Sequence, residues 1–221
     1  MLEKKVSDIL IHQMRNWWLE FDEEVIKKYI SQALNEMEEN YKEMSSSRYQ
    51  KDGQIIINPV YSVTWNIFLY RLSRILYLNS YVQEANCIYY LNKIMHSNDW
   101  FYEVELPIHF GAEHPLGSVL GKAKYDDYLF VYQGTTIGGN RKYDTLTYPI
   151  IGKNVCLYAN ATVLGSTVLG DNVIVAANTY LLNENIPSNC IVYGKSPNIV
   201  IKKKTEATIK NMTKHIWRWN N

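Results

Sequence analysis

The residues best suited to chemistry lie close together in the middle of the chain. His114 follows Glu113 in "AEHPLG", and Glu105 precedes them in "YEVELP". A histidine side chain, with an ordinary pKa of about 6.5, suits a general base that removes a hydroxyl proton near neutral pH. A carboxylate on its second ring nitrogen would fix its tautomer. Gly139, in "IGGN", offers a backbone N–H to an oxyanion, although two adjacent glycines also suit a tight turn.

The composition is that of an ordinary globular protein. The 221 residues are 47% hydrophobic and 20% charged, and the formal net charge is +1, so we expect no nucleic-acid partner. The three cysteines form no CxxC pair, which indicates a reducing compartment without a disulfide framework or zinc knuckle. The first residues are too charged for a secretory signal, and no run of about 18 apolar residues occurs. We expect a cytoplasmic protein without stable membrane insertion.

The first 100 residues predict an α-helical region. Apolar residues recur every three or four positions in "SDILIHQMRNWWLEF" and in "DEEVIKKYISQALNEMEENYKEM". The polar stretch "SSSRYQKDGQ" is typical of a linker. Pro59 then suits the start of a helix in "SVTWNIFLYRLSRILYLNS", and "EANCIYYLNKIMHSN" predicts a further helical segment. We therefore expect a helical domain over residues 1–100.

The second half of the chain has a different period, of six residues. Steps of six meet an aliphatic residue every time at Ile151, Leu157, Val163, Leu169, Val175 and Leu181. Small or β-branched residues follow four positions later, at Val155, Ala161, Thr167, Val173 and Thr179. A period that is neither 2 nor 3.6 is typical of a solenoid, in which each hexad is a short strand and a turn. We expect the solenoid to span residues 101–201.

The same step continues before residue 151, with one interruption. Backwards from Ile137 it meets Val131, Tyr125 and Val119, but the interval from Ile137 to Ile151 is 14 residues. A loop ejected from the coil would break the register in this way. Glycines such as Gly152, Gly165 and Gly170, and the pairs "KN", "DN" and "AN", suit the tight corners.

Three stretches resemble the serine acetyltransferases, a family of hexapeptide-repeat acyltransferases. They are "AEHPLGSVLGKA", "VYQGTTIGGNRKYDTLTYPIIGKN" and "YANATVLGSTVLGDNVIVAANTYLL". The resemblance covers roughly residues 60–201. It implies an α+β fold in which an N-terminal α-helical region precedes a short left-handed parallel β-helix. It also implies a homotrimer, which in some arrangements pairs into a dimer of trimers. The basic tail, residues 202–221, we expect to form a helix that packs on the solenoid.

The resemblance implies roles for the residues introduced first. His114 stands where the family has its catalytic histidine, and Gly139 matches the glycine whose amide binds the oxyanion. Glu105 is the candidate for the carboxylate that orients His114, with Glu103 or a purely structural ion pair as rivals. Glu113 replaces the family's aspartate beside the histidine and is a candidate for binding the acceptor.

The resemblance further implies acetyl-CoA as the acetyl donor, without a metal. In the family the pantetheine arm lies along the solenoid edge between two subunits. Backbone groups near Ala159 and Ala177 would contact it here. Lys195 and Lys202 are candidates for its phosphates, although surface lysines are more often only solvated.

Two departures from the family concern the acceptor. The family's loop ends in an arginine and a histidine that bind the amino acid's carboxylate, whereas this loop ends in Thr147 and Tyr148. A bidentate arginine is hard to replace. Asn58 stands where the family has an acceptor-binding aspartate. The acceptor is therefore serine or a neutral hydroxyl, such as that of a sugar in surface-polysaccharide (lipopolysaccharide or capsule) synthesis.

Three alternatives stay open from the sequence. An amino-sugar N-acetyltransferase would use the same base. The five-residue spacing of His109 and His114 matches two zinc ligands of the β-helical carbonic anhydrases, which need a third histidine, and only His96 and His12 are at hand in predicted helices. A non-catalytic trimeric module would need neither His114 nor a metal.

Overall fold

The computed structural model describes residues 2–51 and 54–219. Two residues of the predicted linker, Asp52 and Gly53, lie outside the described part. The helices have the following bounds: α1 Leu2–Asn16, α2 Glu23–Lys42, α3 Ser62–Leu78, α4 Val82–His96 and α5 Glu206–Thr213. A short 3-10 helix, Ser47–Tyr49, follows α2, and a small antiparallel pair joins β1 Gln50–Lys51 to β2 Gln54–Ile55.

Helix α3 is the central helix of the N-terminal region. It packs between α2 and α4 and is buried nearly all round, because its sequence carries apolar residues on every side. Its Arg71 is buried, and its guanidinium donates hydrogen bonds to the carbonyls of Leu106 and Ile108. Burial lowers the pKa of Arg71. These bonds fix the chain segment that leads into the solenoid.

The second half of the chain forms the expected parallel β-helix, with three faces. Face A contains β5 Lys124–Tyr125, β10 Ile150–Ile151, β13 Val168–Leu169 and β16 Asn185–Ile186. Face B contains β3 Phe110–Glu113, β6 Leu129–Tyr132, β11 Cys156–Leu157, β14 Val173–Val175 and β17 Cys190–Lys195. Face C contains β4 Val119–Leu120, β7 Thr136–Gly138, β12 Thr162–Leu164 and β15 Tyr180–Leu182.

The register explains the period of six. Ile150 pairs with Val168 and Cys156 with Ile174, so one turn takes 18 residues, or three hexads. The predicted column members are buried: Ile151, Leu157, Val163, Leu169, Val175 and Leu181. The residues four positions after them are buried as well: Val155, Ala161, Thr167, Val173 and Thr179. Aliphatic side chains thus stack inside the coil from turn to turn.

The expected step back to Val119 is wrong by one residue. Leu120 pairs with Ile137 and is 1% exposed, whereas Val119 is 39% exposed. The physical reason is a short corner: the step from Leu120 to Tyr125, the column position of the next face, is five residues instead of six. The ejected loop is confirmed, because Ile137 pairs with Val163, which is 26 rather than 18 residues further on. The eight extra residues belong to a hairpin of β8 Asn140–Lys142 and β9 Thr145–Thr147.

Asparagines hold the corner between faces A and B. Asn154, Asn172 and Asn189 all have φ between 54° and 59°, in the left-handed region that asparagine tolerates. Asn154 donates from Nδ2 to Asn172 Oδ1 at 2.8 Å, and Asn172 donates likewise to Asn189 at 3.0 Å. Gly170 does not have a positive φ, and its role is to allow close packing. A Cβ built there would lie 2.5 Å from Ser188 Oγ, so close packing between turns requires the glycine.

The C-terminal segment returns to the solenoid. Strand β18 Asn198–Lys203 pairs antiparallel with β17, and α5 follows it. Trp217, which is buried, then packs against Phe130 of face B. In the described part of the chain, none of the helices has the length and apolar character needed to cross a membrane.

Candidate active site

His114 lies at the corner where the chain passes from face B to face C. It directly follows β3, and its φ of 48° turns the chain at the end of the strand. Histidine is among the non-glycine residues enriched in this conformation. Its side chain is 71% exposed. The imidazole is therefore presented to the outside of the coil rather than packed in its core.

Glu113 is the carboxylate nearest to this imidazole. Its Oε1 lies 3.6 Å from Nε2 of His114 and accepts a hydrogen bond from Nη1 of Arg48 at 2.7 Å. Arg48 belongs to the 3-10 helix inside the stretch that the sequence indicated only as a linker. Periodicity and motifs could not predict the contact of Arg48 with Glu113, because the two residues are 65 positions apart in the chain. The structure thus adds a cation to the site that the sequence did not predict.

Three tyrosines lie around the carboxylate of Glu113. Burial is the main cause that raises the pKa of Tyr41, Tyr49 and Tyr132, and the negative charge of Glu113 contributes to all three. The Tyr41 hydroxyl is fully buried and has no hydrogen-bond partner among the described residues. Tyr132 stacks on Tyr158 of the next turn with ring centroids 4.9 Å apart. Glu113 therefore places a negative charge in an aromatic setting.

A cavity of about 290 Å³ opens beside Glu113. Its polar lining comes from Ser46, Arg48, Tyr49, Glu113, Tyr132 and His215. The size is near the lower end of small-molecule sites. The cavity therefore suits a compact polar ligand beside Glu113, whose Oε1 lies 3.6 Å from Nε2 of His114, although His114 itself is not part of the lining.

Two segments close one wall of this cavity. The N–H of Ser45 donates to the carbonyl of Ile216 at 2.8 Å, and the N–H of Arg218 donates to the carbonyl of Glu43 at 2.7 Å. These bonds tie the end of α2 to the C-terminal segment, residues 214–218. The sequence predicted a packing helix in the tail, and it did not predict that His215 would line a cavity beside Glu113.

Glu105, proposed from the sequence to orient His114, has a different partner. Its Oε2 lies 3.4 Å from Nη2 of Arg74, and its side chain is 83% exposed. No ion pair joins Glu105 to His114 within the described residues, and Glu113 is the carboxylate that lies near the imidazole. Residues 101–109 form turns against helix α3 rather than a coil of the solenoid, which explains why Glu105 faces Arg74. Arg74 also donates to the backbone carbonyl of Glu103 at 3.3 Å.

Gly139 and Tyr148 lie together at the corner between faces C and A. A Cβ on Gly139 would lie 2.9 Å from Cε1 of Tyr148 and 3.1 Å from Cδ1 of Leu146. The tyrosine ring therefore packs directly on the glycine. Nζ of Lys122 lies 5.1 Å from the centre of the same ring, a cation–π contact. The hairpin of β8 and β9 holds this arrangement, and Thr147 donates to the carbonyl of Asn140 at 3.4 Å within it.

Asn58 has a local structural role in the described contacts. Its Oδ1 accepts the N–H of Val60 at 3.0 Å, and its carbonyl accepts the N–H of Tyr61. This is an Asx turn, in which the asparagine side chain accepts from the backbone N–H two residues further on, and it precedes α3. The structure therefore supplies a reason for Asn58 that does not involve a ligand.

The candidates for coenzyme contacts follow one edge of the solenoid. Ala159 and Ala177 lie at the corner between faces B and C, one and two turns beyond that of Tyr132, and the carbonyl of Ala159 accepts the N–H of Asn178 at 2.8 Å. His114 stands at the top of the same edge. With turns about 4.8 Å apart, Ala177 is on the order of 14 Å from the histidine along the edge. The structure thus brings His114, Ala159 and Ala177 onto one line.

The two candidate lysines lie at the lower end of the solenoid. Lys195 pairs with Tyr180 in the sheet register, and its Nζ lies 5.7 Å from the centre of that ring. Lys202 lies on β18, with Nζ 5.2 Å from the centre of the Tyr193 ring. Lys195 extends the edge defined by His114 and the two alanines. Lys202 belongs to face B instead.

His109 is held by a second carboxylate. Its Nδ1 lies 2.6 Å from Oδ2 of Asp127, and its ring stacks on Tyr128. His96 is buried in α4 and contacts Asn92. Across residues 2–51 and 54–219, no three His, Cys, Asp or Glu side chains converge as a metal-binding group. The protomer therefore lends no support to the carbonic-anhydrase alternative.

Comparisons with known proteins agree with this architecture. The family described as "Bacterial transferase hexapeptide (six repeats)" matches residues 148–183. The serine acetyltransferase of Synechococcus elongatus is 35% identical over 91 residues, which are 41% of this chain and 37% of that protein. The serine acetyltransferase of Staphylococcus xylosus is 36% identical over 104 residues, 43% of this chain and 48% of that protein. The chain thus matches less than half the length of these relatives.

The solved structures extend the similarity to the helical region. The serine acetyltransferase of Vibrio cholerae superposes with a TM-score of 0.70 at 19% identity, covering 94% of this chain and 82% of that one. A serine acetyltransferase of Brucella abortus in complex with coenzyme A gives a TM-score of 0.66 at 19% identity, covering 93% and 83%. The similarity to serine acetyltransferases expected from the sequence is therefore confirmed, and the fold is theirs from helices to solenoid.

Proposed function

We propose that this protein is an acetyl-CoA-dependent O-acetyltransferase with His114 as its general base. The observation that carries the proposal is the edge on which His114, Ala159 and Ala177 follow one another from turn to turn. An extended thioester substrate would fit along such an edge with its reactive end beside the imidazole. The similarity in fold to a serine acetyltransferase complexed with coenzyme A supports this reading.

The reaction is an acyl transfer in which the acceptor oxygen replaces the sulfur. The imidazole of His114 takes the hydroxyl proton as the acceptor oxygen attacks the thioester carbon. The negative charge that forms on the carbonyl oxygen is stabilised by the N–H of Gly139. The carbon–sulfur bond then breaks, the thiolate leaves with the proton that His114 had taken, and the products are the acetyl ester and free coenzyme A.

The geometry of the coil supports a homotrimer as the active form. His114 stands at the B–C corner and Gly139 at the C–A corner of the same protomer. Opposite ends of one face cannot both contact one thioester carbon. A neighbouring copy that places its C–A corner against the B–C corner of the first would bring the two together. The proposed site is therefore shared between subunits, and pairing of trimers through the helical domain is an open extension of it.

The acceptor in this proposal is a hydroxyl of a small molecule, either serine or a sugar. The absence of an arginine at the end of the hairpin, where Thr147 and Tyr148 stand, motivates the sugar. An amine on an amino sugar would need the same base and is the nearest alternative. The three cysteines are free, as expected in a reducing compartment, which supports a cytoplasmic location.

Release of free thiol tests the proposal. The protein is incubated with acetyl-CoA and, in turn, serine, nucleotide sugars and oligosaccharides, and each mixture is examined for an acetylated acceptor by mass. We expect thiol release that depends on one acceptor and saturates with its concentration. If no acceptor raises thiol release above the rate with acetyl-CoA alone, the protein is not a transferase of this class.

A further inference from the structure

The cavity beside Glu113 is lined by an arginine, Arg48, whereas the end of the hairpin carries Thr147 and Tyr148. The sequence places Thr147 and Tyr148 where a carboxylate-binding arginine is expected, which favours an uncharged acceptor. The structure brings Arg48 to within 2.7 Å of Glu113 from an element far away in the chain. Arg48 therefore adds to the lining a positive charge that Thr147 and Tyr148 do not supply.

The guanidinium of Arg48 has N–H donors that its hydrogen bond to Glu113 does not use. Its bond to Glu113 uses Nη1, and the planar group carries five N–H donors in a fork that matches a carboxylate. The Arg48 side chain is 64% exposed and the Glu113 side chain 23% exposed. Exposed ion pairs are weak, so a ligand can exchange for one partner at little cost.

The rest of the lining suits a compact ionised molecule. The cavity measures about 290 Å³, and Tyr49, Tyr132 and His215 supply hydrogen-bonding groups around Arg48 and Glu113. Near them, the Tyr41 hydroxyl is fully buried without a partner among the described residues. A ligand with a carboxylate for Arg48 and a donor group for Glu113 would match both charges of the pair.

We propose that Arg48 binds a carboxylate of the acceptor, which is therefore a carboxylate-bearing hydroxy compound, either a hydroxy amino acid or an acidic sugar. This inference rests on the proposed acetyl transfer at His114. Glu113 receives the acceptor's neighbouring ammonium or hydroxyl group. Arg48 thus takes over the role that the hairpin gives up at Thr147 and Tyr148, and the 3-10 helix Ser47–Tyr49 becomes part of the specificity determinant.

Matched acceptor pairs test the inference. The protein is assayed with acetyl-CoA and L-serine against serinol, and with glucuronic acid against glucose, so that each pair differs in the carboxylate. We expect the carboxylate-bearing member of one pair to be preferred about ten- to a hundredfold in kcat/KM, the range of one charge-assisted hydrogen bond. Which pair responds distinguishes the amino acid from the acidic sugar. Equal or better transfer to the neutral members would overturn the inference and leave the transferase intact.

Variants of two arginines locate the effect. Arg48→Gln should raise the KM of the carboxylate-bearing acceptor roughly ten- to a hundredfold, and more than that of its neutral partner. Arg48→Lys keeps the positive charge but loses the forked guanidinium, so its KM for the carboxylate-bearing acceptor should lie between those of the wild type and Arg48→Gln. Arg15→Gln is the matched control, because Arg15 has a similar exposure and also pairs with a glutamate, Glu23. An Arg48→Gln protein indistinguishable from Arg15→Gln would refute the role of Arg48.

Binding without catalysis separates the two proposals. The melting temperature is measured with each acceptor in the absence of acetyl-CoA. We expect the preferred carboxylate-bearing acceptor to raise it by at least about 2 °C in the wild type and in Arg15→Gln, but not in Arg48→Gln. If this pattern is found and no acceptor is acetylated, the acetyl transfer fails while the carboxylate site stands. If no carboxylate-bearing compound binds, the inference about Arg48 fails.

Discussion

Glu113 Oε1 lies 3.6 Å from Nε2 of His114, and the two residues are consecutive at the end of strand β3. Side chains of consecutive strand residues normally point to opposite sides. Here the φ of 48° at His114 breaks the strand and turns the imidazole back toward the carboxylate. One backbone conformation thus joins the proposed base to the charge that faces the cavity.

The first prediction compares two glutamates. Glu113→Gln should lower kcat/KM for the acceptor by about ten- to a hundredfold, because it removes the charge beside His114 and the partner of Arg48. Glu105→Gln, an equal chemical change at an exposed residue paired with Arg74, should change kcat/KM by less than about twofold. Steady-state kinetics of both variants check this. A larger loss from Glu105→Gln would restore Glu105 as the orienting carboxylate.

The second prediction compares two neighbouring glycines. In Gly139→Ala the new Cβ would meet the ring of Tyr148 at 2.9 Å, so the hairpin must shift away from the proposed oxyanion donor. We expect a loss of about tenfold or more in kcat with little change in melting temperature, since the ring is a movable neighbour. Gly138→Ala is the control, because its nearest contact would be 3.8 Å. Equal activity of the two variants would show that the N–H of Gly139 is not placed for catalysis.

The third prediction concerns stability at acid pH. Burial of His96, only partly offset by its contact with Asn92, lowers its pKa from 6.5 to about 4. Between pH 6.5 and about pH 4, His96 is therefore protonated in the unfolded chain but neutral in the folded chain. This contribution to stability is complete above pH 6.5 and is lost as the pH falls toward 4, by up to about 3 kcal/mol.

Denaturant unfolding at several pH values measures this contribution. His96→Gln should flatten the dependence of the unfolding free energy between pH 6.5 and 4, whereas His12→Gln, at an exposed position of α1, should keep the wild-type dependence. Parallel curves for wild type and His96→Gln would show that His96 does not cause the acid sensitivity.

Much of the fold follows from the sequence because it repeats. Leu157 and Val163 lie six apart and are both buried, since every hexad meets the same environment. The prediction fails at Val119, where a corner is one residue short and Leu120 takes the inward position. The six-residue period of the sequence cannot show where one corner of the solenoid is a residue shorter than the others.

The site is less predictable, because its groups meet through long-range contacts. Gly139 and Tyr148 lie together because they directly flank the outermost pair of one hairpin. Arg48 and Glu113 are 65 residues apart, and His215 arrives from the C-terminal segment. The family resemblance indicates Glu105 as the carboxylate that orients His114, whereas the turns after α4 direct it to Arg74.

The central claim is that the imidazole at the B–C corner performs the proton transfer. The most direct measurement is acceptor-dependent thiol release from acetyl-CoA by His114→Asn, a variant chosen because asparagine tolerates the positive φ at this corner. We predict a loss of 100-fold to about 10,000-fold in kcat, with unchanged melting temperature and assembly size. Turnover within a few-fold of wild type in a folded His114→Asn protein would contradict the account.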